Sequence, residues 1–224
     1  MKRFPQQVLE YEGERYLIYR AGGILALHRL GMLLDRPYLT GAGFSDYVCA
    51  DSKYDMEERI KAGVSSQRMV LVGDYSLDAL WAAYNNRQVV KQGLLARYEM
   101  DPAKKIVLVA MPQMAEHGYL PWEEHIEYIE KILKEIPGFD VNVLVSLHPK
   151  MKLSEYQYLE EKFPCKILSE RLFDVLPAAD IFLSKASSTI RWGVVCDIDV
   201  ILFDFWGFDL LSYEYLDCID VVRP

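Results

Sequence analysis

Two short stretches, "LHPK" at 147–150 and "SKASST" at 184–189, hold residue types that handle phosphate groups. Ser187, Ser188 and Thr189 are small hydroxyl residues that let an anion come close and add donors of their own. They stand where an apolar run, "DIFLS" (180–184), gives way to a helical pattern. The first N–H groups of a helix lack internal partners and lie at the positive end of its dipole, so such a joint suits an anion. Lys185 is next to it. The same residues also fit an ordinary N-cap at Ser187, and the two roles are compatible. His148 follows another apolar run, which Pro149 ends. There the imidazole can hydrogen-bond a phosphate or act as general acid or base, since it titrates near neutrality. A surface-loop histidine is the competing reading, and Lys150 beside it favours the anion site.

Two further loops carry weaker signals. In "LSER" (168–171), backbone groups can meet a nucleotide base, with Arg171 near the pyrophosphate. Alternatively Glu170 and Arg171 are solvated charges opening a helix, which is the preferred reading. In "FDFWGFD" (203–209), Asp204 can accept ribose hydroxyl hydrogens, as acidic residues do in other doubly wound sites. Core packing is the simpler role for the aromatics around it. His117 can face the same cleft, His125 is expected on the exposed side of its helix, and His28 reads as a helix residue. The four histidines form no ligand cluster, so no metal site is expected.

The elements that must position these residues recur in alternation. Strand patterns cover 16–19, 46–50, 69–73, 105–111, 140–147, 165–168, 180–184 and 199–205. Helical patterns cover 53–62, 76–98, 121–136, 153–162, 172–178 and 188–196. Continuous apolar strands alternating with helices specify a doubly wound parallel α/β sheet covered on both faces, in which ligands bind beyond the carboxyl ends of the strands. The helix at 121–136 shows one stripe of Ile126, Ile129, Ile132 and Leu133, a core face. Turn chemistry at Gly73-Asp74 and the Asp-Pro at 101–102 suggest a partial N-terminal Rossmann-like portion over 1–72 and a nucleotide-binding domain over 73–224. Closing C-terminal helices are expected to be missing from the second.

Composition bounds the function. With 51% hydrophobic and 26% charged residues, the 224-residue chain is of globular type. A formal charge of -8 argues against a dedicated nucleic-acid binder. The four cysteines, Cys49, Cys165, Cys196 and Cys218, have no paired spacing; three lie in or beside apolar runs and read as buried. No signal-peptide or membrane-span pattern occurs, so a cytoplasmic protein is expected.

The stretch 45–80 resembles the junction between the two domains of GT-B glycosyltransferases and nucleotide-sugar 2-epimerases, with Gly73 and Asp78 at the hinge pattern. "LHPK … LFDVLPAADIFLSKASSTIRWGVVCDIDVILFDF" is similar to their nucleotide-binding half, and most of all to surface-polysaccharide, CDP-glycerol and polysialyl transferase-like enzymes. By that resemblance His148 and Pro149 match the HP element, and Ser187, Ser188 and Thr189 match the phosphate-binding Ser pair and its neighbour. The resemblance implies a GT-B type C-terminal domain that binds a nucleotide-activated sugar. It implies transfer of a sugar or sugar-like unit to a carbohydrate or lipid-linked acceptor in cell-surface polysaccharide synthesis, with His148 in the catalytic site and no cofactor. A 2-epimerase or hydrolase of the same fold stays open, although "MPQMAEHG" stands where the epimerases carry a His-Arg dipeptide. A truncated, non-catalytic nucleotide-binding module stays open too, as do a homo-oligomer and a partner chain completing the fold.

Overall fold

The computed structural model describes residues 8–11, 14–17, 31, 45–185, 187–203 and 219–222. The chain divides into two compact units, 1–75 and 76–224. In the first, strands β1 (Val8–Tyr11) and β2 (Glu14–Leu17) pair antiparallel. Strands β3 (Val48–Ala50) and β4 (Met69–Leu71) pair parallel, joined through helix α1 (Lys53–Lys61). Ser52 caps α1 by accepting the Asp55 N–H at 3.0 Å.

The second unit opens with helices α2 (Ser76–Asn85) and α3 (Arg87–Arg97). The sequence pattern predicts one helix over 76–98; it breaks at Asn86, whose side chain turns back to donate to the Ala82 carbonyl at 2.9 Å. The unit then alternates β5 (Ile106–Ala110), α4 (Trp122–Glu135), β6 (Asn142–Ser146), α5 (Leu153–Tyr156), α6 (Leu159–Lys162) and β7 (Cys165–Ile167). It continues with α7 (Leu172–Val175), β8 (Ile181–Ser184), α8 (Ile190–Val195), β9 (Asp199–Phe203) and β10 (Ile219–Val222). Strands β1 and β10 have no counterpart in the sequence pattern.

All five pairings of the large sheet are parallel, in the order β10-β9-β8-β5-β6-β7. This is the doubly wound Rossmann order, and its direction reverses between β5 and β8. The central strand is apolar on both faces because both are covered. Ile106 and Leu108 join the core that holds Leu80, Leu94, Phe182 and Ile190, whereas Val107 and Val109 join the one that holds Ile129, Leu133, Tyr156 and Leu159. At the amino end, Asp180 ties the two switch-point strands together: it accepts the Ile106 N–H at 2.7 Å and pairs with Lys91, also at 2.7 Å.

Helix α8 lies close over the sheet because residue 193 is glycine. A Cβ there would come within 2.8 Å of Val200 Cγ2 and 3.2 Å of Phe182 Cδ1. Gly193→Ala is therefore expected to destabilise the protein by ~1–3 kcal/mol through overpacking, measured by denaturant unfolding. A neutral or stabilising result would contradict this packing.

Two expectations need correction. His125 is fully buried, on the same stripe of α4 as Ile129, Ile132 and Leu133. Its Nε2 lies 2.8 Å from the Tyr156 hydroxyl, which donates to Glu116 at 2.5 Å, and the Trp122 ring packs on both. This polar partner makes a buried site acceptable to an imidazole. Cys49 is exposed, because β3 is buried on alternate residues only; Cys165 and Cys196 are buried as expected. Cys218 and His28 lie outside the described residues. Among the described residues, no helix is long and apolar enough to cross a membrane.

Candidate functional site

The strand register brings the last residues of three strands into one row. Ala110 of β5 stands between Ser146 of β6 and Ser184 of β8. Both serines are buried. Just beyond this row opens a cleft of about 880 Å³, lined from the loops that follow β5, β6, β7 and β8. It lies outside the carboxyl ends of the strands, at the place where strand order reverses.

One cation, two imidazoles and two hydroxyls are among the side chains that line the cleft. Lys185, Ser187 and Thr189 enter from the β8 loop, His148 and Pro149 from the β6 loop, and His117 from the β5 loop. The Lys185 ammonium donates to the Met114 sulfur at 2.9 Å. Ser187 Oγ accepts from the Thr189 hydroxyl at 2.9 Å and the Thr189 N–H at 3.3 Å, so the two side chains brace one turn. Ser188 faces solvent and is not part of the lining.

The helix behind this turn is shorter than the sequence suggests, Ile190–Val195 rather than 188–196. The Ile190, Arg191 and Trp192 N–H groups bond the carbonyls of Ser187, Ser188 and Thr189. With those donors used and the helix under two turns long, little of its dipole is available at the cleft. The positive character here rests on the Lys185 side chain instead.

His148 is half-buried, and its Nδ1 accepts the Lys150 N–H at 3.2 Å, which leaves Nε2 as the nitrogen that carries the proton in the neutral ring. Burial, together with the positive charges of Lys150 and His117, holds its pKa below the ordinary histidine value. His117 is lowered in the same way, first by burial and then by Lys150. Both rings are thus neutral near pH 7 in the unliganded protein. Lys150 is exposed and outside the lining, where its charge acts at a distance.

The lining also has an apolar part. Leu168, Leu172, Phe173 and Trp192 line it, the two rings meeting edge to face with centroids 5.0 Å apart. Arg171 is also in the lining, well exposed and paired with Asp174 at 2.8 Å, as the solvated reading has it. Glu170 departs from that reading: it is mostly covered and bonded to Tyr98 and Arg97. Desolvation alone would raise its pKa, but the hydrogen bond from Tyr98, its own N–H and the Arg97 charge outweigh this and hold it below the usual carboxylate range. Asp204 lies outside the described residues. Gln113, Phe173 and Trp192 line the cleft without having been singled out by the sequence pattern.

No family model matches the chain, and no curated protein does. Solved structures do. The UDP-GlcNAc 2-epimerase of Methanocaldococcus jannaschii, in complex with UDP-GlcNAc and UDP, superposes with a TM-score of 0.58 at 16% identity, covering 80% of this chain and 51% of that one. The Neisseria meningitidis UDP-GlcNAc 2-epimerase, bound to UDP-GlcNAc, gives 0.54 at 16% identity over 70% of this chain and 44% of that one. The wall teichoic acid polymerase TagF, soaked with CDPG, gives 0.52 at 14% identity over 95% of this chain and 48% of that one. The chain spans about half the length of the structures it matches. Its strand order, the position of its cleft and these superpositions together show that the chain has the Rossmann-like α/β fold of GT-B nucleotide-sugar enzymes.

Proposed function

We propose that the cleft binds a nucleotide-activated sugar and that the chain supplies the donor-binding part of a GT-B glycosyltransferase of cell-surface polysaccharide synthesis. The observation that carries this reading is that Lys185, Ser187, Thr189 and His148 all line one cleft at the strand-order reversal. The diphosphate rests against these four side chains, with the nucleoside along the apolar part beside Phe173 and Trp192. As the glycosidic bond to the donor breaks, negative charge grows on the leaving nucleotide. The Lys185 ammonium and the neighbouring hydroxyl donors stabilise that charge in place. His148 donates a hydrogen bond from Nε2 to the leaving nucleotide as that charge develops. No cofactor is needed for this step. The acceptor, carbohydrate or lipid-linked, comes from outside this cleft, as does its general base.

The 2-epimerase reading shares the same donor site, and the best of these superpositions, 0.58, is with an epimerase. Incubation of the protein with UDP-GlcNAc or a CDP-activated donor, with and without a glycan acceptor, separates the two. Acceptor-dependent release of nucleotide supports transfer; inversion of the sugar without acceptor supports epimerisation.

A pH dependence follows from His148. Its pKa is below the ordinary value when the cleft is empty, and a bound diphosphate raises it. Binding then takes up protons: affinity is flat above the raised pKa, increases as pH falls through it, and levels off below the lowered one. Calorimetry with a nucleotide-sugar, whose diphosphate has no terminal phosphate titrating near pH ~6, reads this directly. Affinity that is unchanged or falls between pH ~8 and ~6 would remove His148 from the phosphate site.

A further inference from the structure

The loop joining β7 to α7, part of the cleft lining, is tied to the end of α3. That helix closes with the Tyr98 N–H on the Leu94 carbonyl and the Met100 N–H on the Leu95 carbonyl, both at 3.0 Å, with Glu99 in the left-handed region at φ 52. The Met100–Leu95 bond over a left-handed Glu99 is the 6→1 bond of a Schellman-type closure, and it fixes the backbone from which Arg97 and Tyr98 project. The Tyr98 hydroxyl accepts the Ser169 N–H at 2.9 Å and donates to Glu170 Oε2 at 2.5 Å. Arg97 pairs with the other oxygen of the same carboxylate.

One hydroxyl therefore satisfies two successive residues of the loop joining β7 to α7. That loop needs outside support, because α7 has only four residues and cannot hold its own entry. Ser169 and Glu170 both line the cleft, whereas Tyr98 does not. Without the hydroxyl, the Ser169 N–H would be released to reorient. The Glu170 carboxylate would lose a donor beside a cleft read as taking an anionic ligand.

We infer that Tyr98 is a positioning residue for the nucleoside end of the ligand, acting through Ser169 and Glu170 without touching the ligand itself. The inference rests on the nucleotide-sugar reading of the cleft. The clamp joins α3 to the β7–α7 loop, whereas Lys185, Ser187, Thr189 and His148 come from the β6 and β8 loops, so nucleoside diphosphate and pyrophosphate probe the two groups separately.

Calorimetry on the full chain with UDP, CDP and inorganic pyrophosphate tests it, using wild type, Tyr98→Phe and Glu170→Gln. Tyr98→Phe removes one oxygen and keeps the ring. Glu170→Gln loosens the clamp from its other side and covers a failure of the first variant to fold. Expected is a ~5- to 20-fold loss of affinity for the preferred nucleoside diphosphate, one to two hydrogen bonds' worth, with pyrophosphate affinity within about twofold. Equal losses for nucleotide and pyrophosphate, or no loss for either, would overturn the positioning role alone. Failure of folded wild-type protein to bind any of the three probes would overturn the nucleotide reading and this inference with it.

Discussion

Lys185→Met is expected to weaken binding of a nucleoside diphosphate by roughly 10- to 100-fold, leaving the unfolding midpoint close to that of the wild type. The figure follows from the loss of one charge-assisted contact to phosphate, ~1.5–3 kcal/mol. Lys185 stands immediately after β8, the strand on one side of the order reversal, so its ammonium reaches the cleft from the sheet's carboxyl edge. Methionine keeps the length and apolar stem of the side chain, so packing against Met114 is retained. Because the α8 amino end contributes little field, this cation has no ready substitute among the main-chain donors of that turn. Calorimetry with UDP and CDP reads the effect, and a loss under about twofold would place the diphosphate elsewhere.

The second large effect is on stability. Phe182→Ala is expected to cost ~3–5 kcal/mol, the range for truncating a fully buried phenylalanine. Phe182 is wholly inaccessible on β8 and packs under Gly193, where the helix over the sheet comes closest. Alanine would leave a cavity that neither β5 on one side nor β9 on the other can collapse into, since both strands are held by parallel ladders. Denaturant unfolding measures it. A cost below ~1 kcal/mol would mean that this face of the sheet is loosely packed.

Much of this arrangement is legible in the sequence because buried parallel strands leave long apolar runs. "KIVLVAM", "DVNVLVSL" and "DIFLS" each contain a strand of the large sheet. The loops at their carboxyl ends are the ones that line the cleft, so His148, Pro149, Lys185, Ser187 and Thr189 could be found from position alone. Ser188 could not be told from its neighbours, since a turn sends adjacent side chains in different directions. His125 is four residues before Ile129 and on its stripe, so helical period points it inward against the expectation of an exposed side. Tyr156 is 31 residues from His125 and 40 from Glu116, a pairing no local pattern carries. The Tyr98 clamp is hidden for the same reason, its contacts spanning 71 and 72 residues. Helices α5 and α6 read as one segment over 153–162, and the break at 157–158 has no proline or glycine to mark it.

The most direct test of the central claim is calorimetry of the wild-type protein with UDP, CDP and CMP. One nucleoside diphosphate is expected to bind at a single site with a Kd in the micromolar range, ~-8 kcal/mol, and more tightly than CMP. Absence of heat with all three nucleotides, from protein that unfolds cooperatively and is therefore folded, would contradict it.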